Sequence, residues 1–321
     1  MTTLPLSLVV AERVQLSPLI VALRLRDPRG AALPGAAPGA HISLAVPGDA
    51  WRHYSLVDFS GGLSSPDEYR IAVRLEDASR GGSRFVHERL HTGETIRVLP
   101  PQNDFPLDPG ADDPLLIAGG IGITPMTGMV ASLARAQRPF LLHYSGRSAG
   151  LLAFVPELSR LCGDLLVLHA DDDPATALSV PLLIGGARRG RPIYVCGPRG
   201  MIEAVIAEAT ARDWDRSAIR FELFTEAAGT EEDRGFELVL AQSGRTLQVP
   251  PDRSIIDVME DAGLDPMYSC RRGECGVCTT PVLEGEIDHR DLYLSDTEKA
   301  SGKMMQICIS RARGPRLVID A

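Results

Sequence analysis

No run of apolar residues in this 321-residue sequence is long enough to cross a bilayer. The opening stretch MTTLPLSLVVAERV lacks a basic leader, and Glu12 and Arg13 interrupt its apolar part, so neither a signal peptide nor a membrane anchor is expected. Positive charge is in deficit: 33 Lys and Arg face 42 Asp and Glu, for a net charge of -9. That balance argues against nonspecific binding to nucleic acid or anionic membrane, and makes a positively charged protein patch the natural complement. Internal repeats and low-complexity tracts are missing as well. Cysteine is scarce, with six residues in all, yet four of them crowd into the last quarter of the chain. Without an export signal, such crowding suggests metal ligation in a reducing compartment, the cytoplasm by default, rather than a disulfide framework.

Length and composition point to a folded protein of two or three domains, since 44% of residues are hydrophobic and 23% charged without segregation into long runs. Over residues 1–109, short alternating apolar stretches such as IVALRLRD, HISLAV and TIRVL are separated by Gly and Pro clusters, which predicts an antiparallel β-barrel. One helix is expected there, from Ser83 to Leu90. Over residues 110–226, apolar runs (LLIAGG, FLLHYS, IYVCG) alternate with helical stretches, which predicts a parallel α/β sheet. Residues 227–235 read as a linker of small and charged residues. A third domain, residues 236–321, holds a predicted hairpin, a helix capped by Ser254, a cysteine-rich loop and two short strands.

Cys270, Cys275 and Cys278 are spaced C-x4-C-x2-C, and Cys308 follows in what reads as an apolar strand. Plant-type ferredoxins hold a [2Fe-2S] cluster with four thiolates at this spacing. Three thiolates must converge within a few ångströms, and Gly273 and Gly276 let the backbone turn its N–H groups toward sulfur. A structural zinc site and four unrelated buried cysteines are the competing interpretations, but zinc knuckles use paired C-x2-C units and only one is present. Residues 236–321, with CRRGECGVC and MMQICISRA, resemble the plant-type ferredoxin family, a β-grasp fold. Cys162 and Cys196 lack such companions and read as packed thiols.

Arg52-His53-Tyr54-Ser55-Leu56 matches the R-x-Y-S pattern of the ferredoxin-reductase superfamily. The resemblance implies that Arg52 neutralises a phosphate, Tyr54 packs against an isoalloxazine ring and Ser55 hydrogen-bonds near its N5. A strand with alternating polar residues would give much the same string. Arg80-Gly81-Gly82-Ser83, just before the predicted helix, supplies a second half, since backbone N–H groups and a hydroxyl would meet a phosphate at the positive end of the helix dipole. His87 and His91 share a helix face but have no third ligand nearby, and read as surface residues.

LLIAGGIGITPM, residues 115–126, runs from an apolar strand through a glycine turn to Thr124-Pro125 at a helix start. It lacks the third glycine of a Rossmann fingerprint, and no acidic residue follows about 20 positions on. Paired with Cys196-Gly197-Pro198, however, the turn resembles the nicotinamide site of the ferredoxin-reductase superfamily. On that resemblance Gly120, Gly122, Gly197 and Pro198 approach the dinucleotide, Thr124 and Cys196 flank the nicotinamide, and Phe224 of Glu222-Leu223-Phe224 lies against the flavin. Phe224 reads equally as a core aromatic. Asp171 to Asp173 would contact a ribose or form an ordinary acidic loop, and Arg147 would contact a 2′-phosphate or be a solvated arginine.

Taken in order, RHYSL, RGGS, GGIGITPM, CGP and CRRGECGVC resemble the phthalate dioxygenase reductase family, which includes vanillate O-demethylase reductases. The resemblance implies a monomeric NADH-dependent reductase carrying FMN and a [2Fe-2S] cluster, with a Rieske-type oxygenase as partner. A flavin must stand between a two-electron hydride donor and a one-electron cluster. Typical potentials of about -400 mV for plant-type clusters and about -150 to +300 mV for Rieske centres make the onward step downhill. A reductase serving a haem monooxygenase of the cytochrome P450 type would carry the same motifs, whereas a mere electron carrier would have no use for GGIGITPM and CGP.

Overall fold

The computed structural model describes residues 4–48, 50–76, 81–224 and 233–321. The chain forms two compact units that divide between Glu222 and Leu223. The first holds both the barrel and the parallel sheet.

Six strands build the barrel: β1 (Leu6–Ser17), β2 (Ile20–Arg26), β3 (His41–Val46), β4 (Ala50–Ser55), β5 (Tyr69–Arg74) and β6 (Thr95–Gln102), with helix α1 (Gly82–Arg89) after β5. They pair antiparallel in the order β4-β3-β6-β1-β2-β5. The two edges meet where Leu56 bridges Ile71 and the Val57 amide donates to the Arg70 carbonyl at 2.8 Å. Closure removes the exposed edges that an open sheet would present. The alternation read in the sequence sends Leu8, Val10, Leu23, Leu25, Ile42, Leu44 and Val98 into one core. His87 is half-buried rather than a surface residue: its Nε2 lies 2.9 Å from the Val73 carbonyl oxygen, which ties α1 to β5.

The second sheet is parallel: β7 (Leu115–Gly119), β8 (Leu141–Gly146), β9 (Leu166–Ala170), β10 (Ile193–Cys196) and β11 (Ile219–Glu222), in the order β11-β10-β7-β8-β9. Helices α2 (Thr124–Arg135), α3 (Val155–Cys162), α4 (Val180–Gly186) and α5 (Arg199–Thr210) supply the crossovers. Every residue of β7 and β10 is buried, as expected of strands covered on both faces. From β7 the chain proceeds to β8 on one side, while β10 proceeds to β11 on the other. The crevice beyond the carboxyl ends of β7 and β10 is therefore a topological switch point, the place where open α/β sheets take their ligands.

The second unit is a mixed sheet of β-grasp type. β12 (Phe236–Leu240) and β13 (Arg245–Val249) form the expected hairpin, and β12 pairs parallel with β18 (Arg316–Ile319). β14 (Thr279–Glu284) and β16 (Met304–Gln306) complete the order β13-β12-β18-β14-β16, and β15 (Ile287–Asp288) pairs with β17 (Arg311–Ala312). Helices α6 (Ile255–Asp261) and α7 (Asp296–Ser301) both start on capping boxes, Ser254 with Asp257 and Ser295 with Glu298. Of the expected linker, residues 227–232 lie outside the described residues. Asp233 is already fixed in the unit, with Oδ2 accepting from Arg290 Nη1 at 2.9 Å.

In the parallel sheet, His143 of β8 stacks on His169 of β9 with ring centroids 5.1 Å apart. His169 Nδ1 faces the Thr176 carbonyl oxygen at 2.8 Å, and His143 Nδ1 faces His169 Nε2 at 2.8 Å. Because a carbonyl only accepts, His169 carries its proton on Nδ1 and receives the His143 N–H at Nε2. Burial, then the neighbouring His169 and Arg191, push His143 down from 6.5 to about 4. The unfolded chain therefore binds a proton below pH 6.5 that the folded chain refuses until about pH 4, so stability is complete above that window and falls as pH drops through it. In urea denaturation His143→Phe should flatten the stability profile between those pH values. A slope equal to that of the parent protein would contradict the assignment.

Candidate functional site

Four thiols come together in the second unit. Cys270, Cys278 and Cys308 are buried and Cys275 is half-buried. Cys308 lies in the turn after β16, two residues beyond Gln306, and not in a strand as the apolar run MMQICI suggests. A turn frees its side chain from the two-residue alternation of the sheet and lets it face the loop. The thiols contact one another two and two, Cys270 with Cys275 and Cys308 with Cys278. Hydrogen bonding from Cys270 brings Cys275 down to about 6, and the contact with Cys308 lowers Cys278, while the same contacts raise Cys270 and Cys308.

Among the described residues no three His, Cys, Asp or Glu side chains converge on one ion. Two pairs of thiols suit a two-iron rhomb, in which each iron takes two thiolates, better than a tetrahedral zinc site. Gly273 and Gly276 both adopt positive φ, at 73° and 78°. The Arg272 amide points at Cys270 Sγ from 3.3 Å, a hydrogen bond of the kind that tunes cluster potential. Gln306, which the sequence did not single out, lies with Oε1 3.1 Å from Cys278 Sγ, and its Nε2 donates to Thr279 Oγ1 at 2.6 Å.

On the barrel, Arg52 and Tyr54 share one face of β4, opposite His53 and Ser55. Arg52 reaches the start of α1. A Cβ placed on Gly82 would stand 2.8 Å from Arg52 Cγ, so only glycine lets the arginine stem lie across that helix end. Among the described residues no side chain caps α1. A guanidinium beside uncapped first-turn amides is a fitting phosphate cradle. Ser83 is buried there, and its Oγ accepts from the Glu76 amide at 3.1 Å. Gly81 is the left-handed residue before the helix, whereas Arg80 lies outside the described residues. Tyr54 packs on the barrel core, and burial pushes its phenol up to about 12, so it stays neutral.

Ser55 is 5% exposed and its Oγ has no hydrogen-bond partner among the described residues. An orphaned buried hydroxyl costs about 1–3 kcal/mol, and a ligand bearing a polar ring atom would remove that cost. His53 shares the Ser55 face of β4 but is turned to solvent. Its Nδ1 lies 3.0 Å from Ser43 Oγ and its ring is edge-on to His41 at 4.9 Å.

At the switch point the two glycine-bearing turns touch. A Cβ on Gly122 would fall on the Cys196 carbonyl, and a Cβ on Gly197 would lie 2.9 Å from Gly119 Cα. Pro198 packs against the same turn, its Cδ 2.7 Å from where a Gly119 Cβ would be. Gly120 takes a left-handed φ of 55° at the head of a short 3-10 turn leading into α2. Thr124 is buried and donates from Oγ1 to the Ile121 carbonyl at 2.9 Å, which shapes the turn. Cys196 is fully buried at the end of β10.

Thr127 joins the two halves of the first unit: its Oγ1 accepts from the Asp58 amide at 3.0 Å and donates to the Thr124 carbonyl at 2.8 Å. Asp58 and Thr127 stand three residues after Ser55 and Thr124, so the strand bearing Ser55 and the turn bearing Thr124 are held side by side. Phe224 is half-buried and belongs to the second unit. Past β8 and β9 the same sheet edge opens into a cleft of about 380 Å³ lined by Ser148, Leu152, His169, Asp172, Asp173 and Thr176. Arg147 is exposed and not part of its lining.

Residues 238–313 match the 2Fe-2S iron-sulfur cluster binding domain family. The toluene-4-sulfonate monooxygenase system reductase subunit TsaB1 of Comamonas testosteroni is 41% identical over 302 residues, covering 94% of this chain and 94% of that protein. The crystal structure of phthalate dioxygenase reductase, described as a modular structure for electron transfer from pyridine nucleotides to [2Fe-2S], superposes with a TM-score of 0.73 at 35% identity, covering 99% of this chain and 98% of that one. The chain belongs to the phthalate dioxygenase reductase family. It is an oxidoreductase with a [2Fe-2S] domain. A self-sufficient cytochrome P450 monooxygenase of type IV also matches, with a TM-score of 0.74 at 34% identity over 99% of this chain, which spans 41% of that longer protein.

Replacing Arg52 or Ser83 by Ala should weaken flavin retention about tenfold or more, the worth of one charge-assisted bond. Gly122→Ala should keep the flavin but slow its reduction by NADH. Equilibrium dialysis and stopped-flow absorbance separate the two effects, and unchanged flavin affinity in both first variants would remove the phosphate assignment.

Proposed function

We propose that this protein is the NADH-dependent reductase component of a multicomponent oxygenase, passing electrons from NADH through FMN and a [2Fe-2S] cluster to a Rieske-type oxygenase. The observation that carries the proposal is the touching pair of turns at the switch point, held beside the orphaned Ser55 hydroxyl in a chain that also pairs four thiols. When bound, FMN supplies exchange between two-electron and one-electron chemistry, and the cluster supplies a one-electron store.

The chain's own residues do the positioning. Arg52, the Gly81-Gly82 turn and Ser83 hold the flavin phosphate at the amino end of α1. Tyr54 packs against the ring and Ser55 donates its free hydroxyl to it. Thr124 and Cys196, with Gly120, Gly122, Gly197 and Pro198, admit the nicotinamide and exclude water from the hydride path. The cleft beyond β8 and β9 takes the far end of NADH, where Asp172 and Asp173 disfavour an added phosphate by like charge. Phe224 covers the flavin ring. Cys270, Cys275, Cys278 and Cys308 hold the cluster.

Charge supports an electropositive acceptor. Residues 223–321 carry eighteen Asp and Glu against eleven Lys and Arg, so most of the acidic excess sits with the cluster and steers a basic partner face toward it. The likeness to the self-sufficient P450 favours a second reading, in which the acceptor is a haem monooxygenase. Mixing the reduced protein with purified Rieske or P450 acceptors distinguishes the two.

Cys275→Ser should abolish one-electron delivery to cytochrome c while largely sparing NADH-dependent ferricyanide reduction. Loss of both activities with flavin retained would contradict the assigned route.

A further inference from the structure

Within the cluster loop, Glu274 is flanked by Gly273 and the ligand Cys275, a place where the chemistry of the cluster asks nothing of the side chain. Yet its carboxylate is drawn inward. The Glu274 side chain is 4% exposed and that of Arg272 is 8% exposed, and Arg272 Nη2 lies 2.8 Å from Glu274 Oε1. The other oxygen, Oε2, accepts the Leu223 backbone N–H at 2.5 Å, across 51 residues of sequence. A carboxylate buried this deeply requires both a counter-charge and directional donors, and Arg272 and Leu223 supply one of each.

We propose that Glu274 is a positioning residue: it pins the cluster loop to the chain where it enters the second unit, and thereby sets the rate at which electrons reach the cluster. The proposal rests on the cofactor assignment above. Leu223 directly precedes Phe224, the residue assigned to the flavin ring, and Glu274 directly precedes Cys275, assigned to the cluster. Phe224 and Cys275 are therefore each one peptide removed from hydrogen-bonded partners, and a trans peptide fixes that step at about 3.8 Å between Cα atoms. One hydrogen bond thus limits how far Phe224 and Cys275 drift apart within the second unit, and electron entry to the cluster depends on that restraint.

Two variants separate positioning from charge. Glu274→Gln keeps an oxygen acceptor for the Leu223 amide but removes the negative charge, whereas Glu274→Ala removes both. After anaerobic mixing with NADH, Glu274→Ala should slow cluster bleaching by about tenfold or more, with Glu274→Gln staying close to the parent rate. Hydrogen exchange in the holoprotein should show the peptide containing Leu223 losing protection in the first variant and keeping it in the second. NADH-dependent ferricyanide reduction and the electron paramagnetic resonance spectrum of the reduced cluster should match the parent in both.

If Glu274→Ala does not retain its cluster, the paired replacement Arg272→Met with Glu274→Leu keeps the loop apolar and must show the same slowing. Parent-like bleaching in the Ala or paired variant would overturn the proposal, as would equal slowing in Ala and Gln accompanied by a shifted cluster spectrum, which marks charge tuning. A parent protein lacking flavin or cluster would instead overturn the assignment beneath it.

Discussion

Backbone-to-backbone contact at the carboxyl edge of the parallel sheet is the constraint on which the remaining arrangement depends. β7 and β10 are neighbours whose chains leave toward opposite sides, and the turns that follow them close the crevice by touching at Gly119, Gly122 and Gly197. A side chain at these points would part the turns and displace Thr124 at the head of α2. Through α2 the consequence reaches the barrel, because Thr127 one turn later supplies the acceptor for the Asp58 amide. The strand bearing Arg52, Tyr54 and Ser55 is thus registered to the nucleotide sheet by a short chain of links: glycine contact, helix start, hydroxyl and loop amide.

The second unit solves a different problem with similar economy. A β-grasp sheet supplies a rigid back, α6 starts on the Ser254 capping box, and the loop between them carries three of the four thiols. The fourth arrives from the turn after β16. Pairing the thiols two and two sets the four sulfurs for two irons that each take two of them. Cys270, Cys275, Cys278 and Cys308 would hold the cluster as thiolates, so its binding would release protons.

Much of this was legible in the sequence because motif spacing survives without geometry. C-x4-C-x2-C, the GGIGITPM and CGP turns and the glycines before α1 each name a local shape, and each stands where its pattern places it. What escaped were facts of pairing between distant segments. The strand holding RHYSL, β4, is too polar to stand out by alternation alone. Cys308 looked like a strand residue because its apolar neighbours fill the core from a turn. Gln306, Thr127 and Glu274 act through partners that lie far along the chain, so nothing in their local sequence marks them. His53 sits inside a matching motif, yet its side chain is exposed where that of Ser55, two residues on, is buried.

The most direct test of the three-centre account is an anaerobic titration of the purified protein with NADH, followed by visible absorbance, with the released flavin identified in parallel. Full bleaching at about 1.5 equivalents with FMN as the released flavin is the expected result, since two flavin electrons and one cluster electron are filled by hydride pairs. Bleaching that stops near one equivalent, or a preparation that releases no flavin, would contradict the account, because one of the centres would then be missing.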